Sequence, residues 1–158
     1  MDSVLHLIGL AKRGGYLAVG EEPVGAVCRA RDCRLLLVAV DAADNTFRRA
    51  RHFADAGACL WVSLPYSREE LGAAAGRRVC AMAAVTDVGL AAAIARELSR
   101  DNPEKFEQTA QKLQLKAQRA RQRRAEQSAH DKKLQRGGKK SKPYIPTRIK
   151  RAQKQQGK

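Results

Sequence analysis

Cys28, Cys33, Cys59 and Cys80, with His6, His52 and His130, are the side chains of this sequence that could hold a soft metal or act as nucleophiles. Structural zinc sites usually take their ligands in closely spaced pairs, so that one turn of chain delivers two of them. No C-x-x-C pair is present and the histidines are scattered, so the spacing offers no metal site. The four thiols are expected to be small buried hydrophobes in a reducing compartment. Gly9-x4-Gly14 has the outline of a phosphate-binding loop, but the Lys-Ser/Thr that must follow is missing and a helix ends there instead of starting. No G-x-G-x-x-G occurs. Asp41 and Asp87 each follow an apolar run, where α/β enzymes often place catalytic groups. No histidine stands near either, so capping and turn formation are their expected roles. No nucleophile–base arrangement can be assembled, and the sequence predicts no catalysis, no metal and no cofactor. Arg48, Arg49 and Arg51 cluster on one segment, as a solvated helix face would, with RNA contact as the alternative.

The elements that must position such groups are set by length and charge. The 158 residues are 44% apolar, enough for one domain and a remainder. Lys and Arg number 31 against 16 Asp and Glu, a net charge of +15 that acts on polyanions, nucleic acid first. Residues 1–100 hold 13 basic and 11 acidic side chains, whereas residues 101–158 hold 18 and 5. A near-neutral domain, 1–100, followed by a basic extension, 101–158, is therefore expected. The boundary falls at Asp101-Asn102-Pro103, because Asn-Pro disfavours helix at Asn102 and Pro103 suits a new first turn. No apolar stretch approaches the roughly 20 residues of a membrane helix. Met1-Asp2-Ser3 opens no basic leader, so a cytoplasmic location is expected.

Within 1–100, helical and strand patterns alternate. Ser3 can cap a helix carrying Val4, Leu7, Ile8 and Ala11, ended by Gly14-Gly15. Tyr16–Val19 reads as a short strand. Gly20-Glu21-Glu22-Pro23 opens a second helix with acids and proline in its first turn. Leu35–Val40 is the continuous aliphatic run of a strand covered on both faces. Asp44-Asn45-Thr46 caps a third helix that stops at Gly57. Cys59–Leu64 and Val79–Val85 are further strands. Ser67 and Glu70 form a capping box for a short helix running to about Ala75. Thr86-Asp87 starts a last helix bearing Leu90, Ile94 and Leu98. This order predicts an α/β fold, a three-layer α/β/α sandwich around about four strands.

Three stretches of the sequence carry a family likeness. They are Leu7-Ile8-Gly9-Leu10-Ala11-Lys12-Arg13-Gly14-Gly15 leading into Leu17-Ala18-Val19-Gly20-Glu21-Glu22; Leu36-Leu37-Val38-Ala39 with Asp41-Ala42-Ala43-Asp44-Asn45-Thr46; and Glu69-Glu70-Leu71-Gly72-Ala73-Ala74-Ala75-Gly76 leading into Val85-Thr86-Asp87. In order and spacing the segment 4–98 resembles the ribosomal L-seven-Ae and L-thirty-e family of RNA-binding proteins, and its small bacterial members most closely. The resemblance implies the same sandwich and binding to structured RNA, kink-turns in particular, without catalysis or cofactor. It also implies a site at one end of the sandwich. There a helix start reads sheared G·A pairs, a lysine one turn on meets phosphate, and a second loop covers an unstacked base. Mapped onto this chain, the site comprises Lys12, Arg13, Gly20, Glu21, Glu22, Gly76, Arg77 and Arg78. The sequence departs from the pattern at three points. The helix lysine of the family falls on Ala26, a frequent basic position falls on Tyr16, and the Asn-Glu pair becomes Glu21-Glu22 before Pro23.

The extension is rich in helix formers from Pro103 to about Gln135. Phe106, Ala110, Leu113, Ala117 and Ala120 make a narrow stripe, expected to bury poorly without a partner. Arg119, Arg121, Arg123 and Arg124 surround it with charge and join the expected RNA contacts. Gly137-Gly138 should break the helix, leaving a disordered basic tail from Lys139. The expected function is that of a ribosomal or ribosome-associated RNA-binding protein with the extension as electrostatic anchor. A substrate-recognition module of an RNA-modifying system and a nonspecific nucleic-acid-binding protein are the alternatives.

Overall fold

The structure, a computed structural model, describes residues 2–140. Ten elements follow in order: α1 (Ser3–Arg13), β1 (Leu17–Val19), α2 (Glu21–Arg29), β2 (Leu35–Val38), α3 (Asp44–Gly57), β3 (Leu60–Ser63), α4 (Arg68–Ala75), β4 (Met82–Val85), α5 (Val88–Asp101) and α6 (Pro103–Lys140). The four strands form one mixed sheet in the order β1-β4-β2-β3. β2 runs parallel to β3, with Leu35 opposite Leu60, and antiparallel to β4, with Leu35 opposite Val85. β1 closes the other edge antiparallel to β4.

The aliphatic run at β2 is explained by this placement. All four of its residues are buried. Leu35 and Leu37 face a layer built with Val4 and Ile8 of α1, Leu71 of α4 and Ile94 and Leu98 of α5. Leu36 and Val38 face the opposite layer, with Val24 and Cys28 of α2 and Ala50 of α3. Successive strand residues point to opposite faces, so a central strand between two helical layers must be apolar throughout. The expected α/β sandwich is the fold observed.

Local signals mostly act as read, with shifts at the ends. Ser67 and Glu70 make the expected capping box. Asp87 caps α5 by accepting from the Leu90 N–H at 2.9 Å. At α1 the cap is Asp2, whose carboxylate accepts from the Val4 N–H, and Ser3 is the first helical residue. At α3, Asp44 is likewise already helical, and Ala43 occupies the cap with no side-chain bond. β4 begins at Met82 rather than Val79, because the Cys80 N–H is taken by the Arg68 carbonyl of α4 and Val79 stays exposed.

The domain boundary differs from the one expected. The first compact unit runs to Gln118. Phe106, Leu113 and Ala117 of α6 are buried in the same cluster as α1 and α5. Phe106 and Lys105 lie against Trp61, Val62 and Ser63 of β3, and the Lys105 ammonium donates to the Ser63 carbonyl at 3.1 Å. Because β3 is an edge strand, the start of α6 screens peptide groups that would otherwise be open to pairing. Two large side chains at the right spacing are enough to dock the first turns of α6. The second unit, from Arg119, is helical as far as α6 extends. That helix continues past Gly137-Gly138, where a break was expected. A glycine costs a helix only about 1 kcal/mol. The tail beyond Lys140 lies outside the described residues.

Candidate nucleic-acid interface

The N-terminus of α2 is the centre of the expected site. Gly20 takes φ 95° and ψ 164°, a conformation that β-carbon sterics deny to other residues. It lets β1 turn directly into α2. The Gly20 N–H donates to the Met82 carbonyl at 3.1 Å, and its own carbonyl accepts from Val24. No side chain caps this helix. Pro23 has no N–H and the Val24 N–H is taken by Gly20, so the Glu21 and Glu22 N–H groups are the ones left uncapped at a helix start, where anions are attracted.

Segments far apart in sequence meet around that helix start. A β-carbon built on Gly20 would lie 3.9 Å from an Arg77 guanidinium nitrogen, and one built on Gly76 would lie 3.8 Å from Lys12 Cε. Gly76 closes α4 in the left-handed region, at φ 77°, which turns the chain into Arg77 and Arg78. At the start of α4 the Arg68 N–H donates to Asp41 at 2.9 Å. Both ends of α4 thus meet the C-terminal ends of β1 and β2. Lys12, Arg13, Arg77 and Arg78 are all exposed. The structure therefore joins Lys12 to Gly76 and Arg77 to Gly20.

The acids at the helix start are placed differently from each other. Glu21 is paired with Arg49 of α3, 28 residues on in sequence. Glu22 is exposed. Together Glu21, Glu22, Gly25, Arg29, Arg49 and Phe53 line an open cleft of about 310 Å3. Arg49 was expected on a solvated face, with RNA contact as the alternative, and no local signal connects it to Glu21. Arg48 does stay local, donating to Asn45 at 2.7 Å. Tyr16 is 45% exposed, with its ring against Gly14, and Ala26 is exposed on α2. Arg119, Arg121, Arg123 and Arg124 are exposed on α6 within the second unit. Asp41 and Asp87 both serve helix starts, as expected.

At the other end of α2 the structure shows what cysteine spacing could not. The sulfurs of Cys28, Cys33 and Cys59 lie within 4.8 Å of one another. Cys28 and Cys33 are buried and Cys59 half-buried. The Cys33 thiol donates toward the Cys59 sulfur, which lowers Cys59 to about 7 and raises Cys33. Burial, reinforced by Cys59, lifts Cys28 to about 11. Cys80 stands apart, buried, with its thiol toward the Met82 carbonyl at 3.2 Å and its pKa raised by burial.

No protein-family model matches the chain, and no curated protein matches it. Solved structures do. A Bacillus halodurans protein of unknown function is 24% identical, with a TM-score of 0.58 over 63% of this chain and 99% of its own. A 15.5-kD RNA-binding protein of Giardia lamblia is 16% identical, with a TM-score of 0.49 over 61% of this chain and 82% of its own. The first of these supports the fold. Among the described residues, no helix is long and apolar enough to cross a membrane.

Proposed function

We propose that this chain is a non-catalytic RNA-binding protein, ribosomal or ribosome-associated, that grips structured RNA with the Gly20–Gly76 end of its sandwich. What supports this reading is that Arg77 reaches Gly20 at the uncapped start of α2 while Lys12 reaches Gly76, the residue before Arg77. Exposed cations beside the uncapped N–H groups of Glu21 and Glu22 suit a backbone phosphate. Pairing of Glu21 with Arg49 removes one of the two charges that would repel it. The resemblance of residues 4–98 to the L-seven-Ae and L-thirty-e family favours RNA, and a kink-turn in particular, over other polyanions. Arg119, Arg121, Arg123 and Arg124, with the basic residues after them, add attraction with little sequence preference.

Binding of the full chain to a kink-turn RNA, an RNA duplex and a DNA duplex of equal length tests this reading. With about 6–10 phosphates engaged, affinity should fall by roughly three to five orders of magnitude between 50 and 200 mM salt. Lys12→Ala with Arg77→Ala should weaken the kink-turn complex more than either duplex complex. Equal affinity for all three nucleic acids, unchanged by the double substitution, would leave only a nonspecific polyanion binder.

A further inference from the structure

We propose that Cys28, Cys33 and Cys59 form a three-thiolate site for a soft divalent cation, Zn2+, with the fourth position open to solvent. Three separate segments deliver the sulfurs. Cys28 sits in the last turn of α2, Cys33 in the loop before β2, and Cys59 immediately before β3. Mutual separations within 4.8 Å among three thiols from three segments make a convergent ligand set. Zinc–sulfur bonds of about 2.3 Å in a tetrahedral arrangement place sulfurs about 3.8 Å apart. Small side-chain rotations close that gap.

The backbone around the cluster is specialised to bring the three together. Arg31 and Ala58, at φ 60° and 51°, are the non-glycine residues with positive φ among the described residues. Arg31 lies between Cys28 and Cys33, and Ala58 directly precedes Cys59. Such conformations persist where the surroundings enforce them. Gly57 lets the end of α3 press on the end of α2, since a β-carbon there would lie 2.7 Å from the Cys28 carbonyl oxygen. Charge is also provided for. Three thiolates and one Zn2+ leave a single negative charge, with Lys116 near Cys59 and Arg29 near Cys28. Cys59 is half-buried, so the cation has a route in and a place for an exogenous fourth ligand.

Three thiols against one disulfide decides between metal and oxidation. A disulfide would use two sulfurs and strand the third, whereas one cation uses all three. On binding, the sulfurs still protonated lose their S–H protons to solvent and three Zn–S bonds form, with no change in oxidation state. The site lies at the far end of α2 from Gly20, about 13 Å along nine residues. It is therefore a clip on the fold, independent of the RNA reading.

The test uses the full chain, reduced and stripped with a chelator. Titration with Co2+ should give sulfur-to-metal charge-transfer absorption that saturates at one equivalent and is displaced by Zn2+. Zn2+ should also release protons and raise the thermal midpoint. Cys59→Ser, at the half-exposed position, should keep the fold by circular dichroism and lose the charge-transfer band. Changes outside the ligand shell of a metal site already cost about 10–100-fold in affinity, so loss of a ligand should cost more. Cys80→Ser should bind like the parent. Absent thiolate absorption, equal Co2+ binding by Cys59→Ser, or consumption of two thiols by air to a disulfide that Zn2+ does not prevent would each overturn the proposal.

Discussion

Glu21, in the first turn of α2, is held by Arg49 of α3 in an ion pair across the start of the helix. The partners are 38% and 56% exposed at their side chains, so the pair adds little to stability. Its consequence is electrostatic, because an unpaired carboxylate beside Gly20 would repel phosphate. Arg49→Ala should move the thermal midpoint very little while weakening RNA binding several-fold at low salt. Glu21→Gln should strengthen it. Calorimetric titration of both variants with one kink-turn RNA measures the difference, and equal affinities would remove Glu21 from the interface.

The burial of Phe106 and Leu113 makes the opening of α6 part of the domain. Loss of a buried Leu or Phe side chain costs roughly 2–5 kcal/mol. A chain ending after Gln118 should unfold cooperatively near the midpoint of the full chain. One ending after Arg100 should unfold at a markedly lower temperature, with an exposed β3 edge. Leu113→Ala alone should cost about 2–5 kcal/mol by denaturant titration. Equal midpoints for the two truncations would mean that α6 rests on the core without supporting it.

What the sequence made legible follows from how far apart the interacting residues are. Leu35–Val38 declares itself because both faces of a central strand are covered, and Ser67 with Glu70 because a capping box is local. Gly20 is readable as a turn for the same reason. The Glu21–Arg49 pair and the meeting of Lys12 with Gly76 depend on tertiary placement, which no local pattern encodes. The thiol cluster was hidden likewise. Cys28, Cys33 and Cys59 have no metal-like spacing, and proximity arises only when the ends of α2 and α3 pack at Gly57. The docking of α6 was underestimated because its stripe holds few bulky residues. Phe106 and Leu113 are nonetheless two turns apart on one face, and that periodicity was the available signal.

Tyr66 gives a pH signature. Burial raises its pKa, and the Asp2 carboxylate, with Asp101 and Glu70 at longer range, raises it further. In the unfolded chain the phenol ionises near pH 10. Above that pH the folded state keeps a proton that the unfolded state has lost, so stability falls as pH rises. The contribution of Tyr66 is complete below pH 10 and is lost as pH climbs toward the folded-state value. Denaturant midpoints of the parent and Tyr66→Phe, measured from pH 9 to 11, should show a steeper decline for the parent. The thiols titrate in both proteins and cancel in the comparison. Parallel declines would mean that the hydroxyl is solvated in the folded protein.

In the L-seven-Ae and L-thirty-e family that this sequence resembles, the positions of Tyr16 and Ala26 tend to carry cations. Tyr16 and Ala26 are exposed, so lysines can be placed there without disturbing the core. Ala26 lies one turn beyond Glu22 on α2, and Tyr16 lies just past the end of α1, four residues after Lys12. Added ammonium groups at these positions should meet phosphates only if the RNA bends around this end of the sandwich. In the chain ending after Gln118, Tyr16→Lys with Ala26→Lys should therefore tighten kink-turn binding more than duplex binding. The slope of log affinity against log salt should steepen by about 0.9 for each phosphate gained at duplex-like charge density. Filter-binding curves at several salt concentrations measure both quantities. Equal gains on the kink-turn and the duplex would mean that the lysines act as general charge and that the interface lies elsewhere. Tight and selective kink-turn binding before any substitution would mean instead that Lys12, Arg77 and the open N–H groups of α2 suffice.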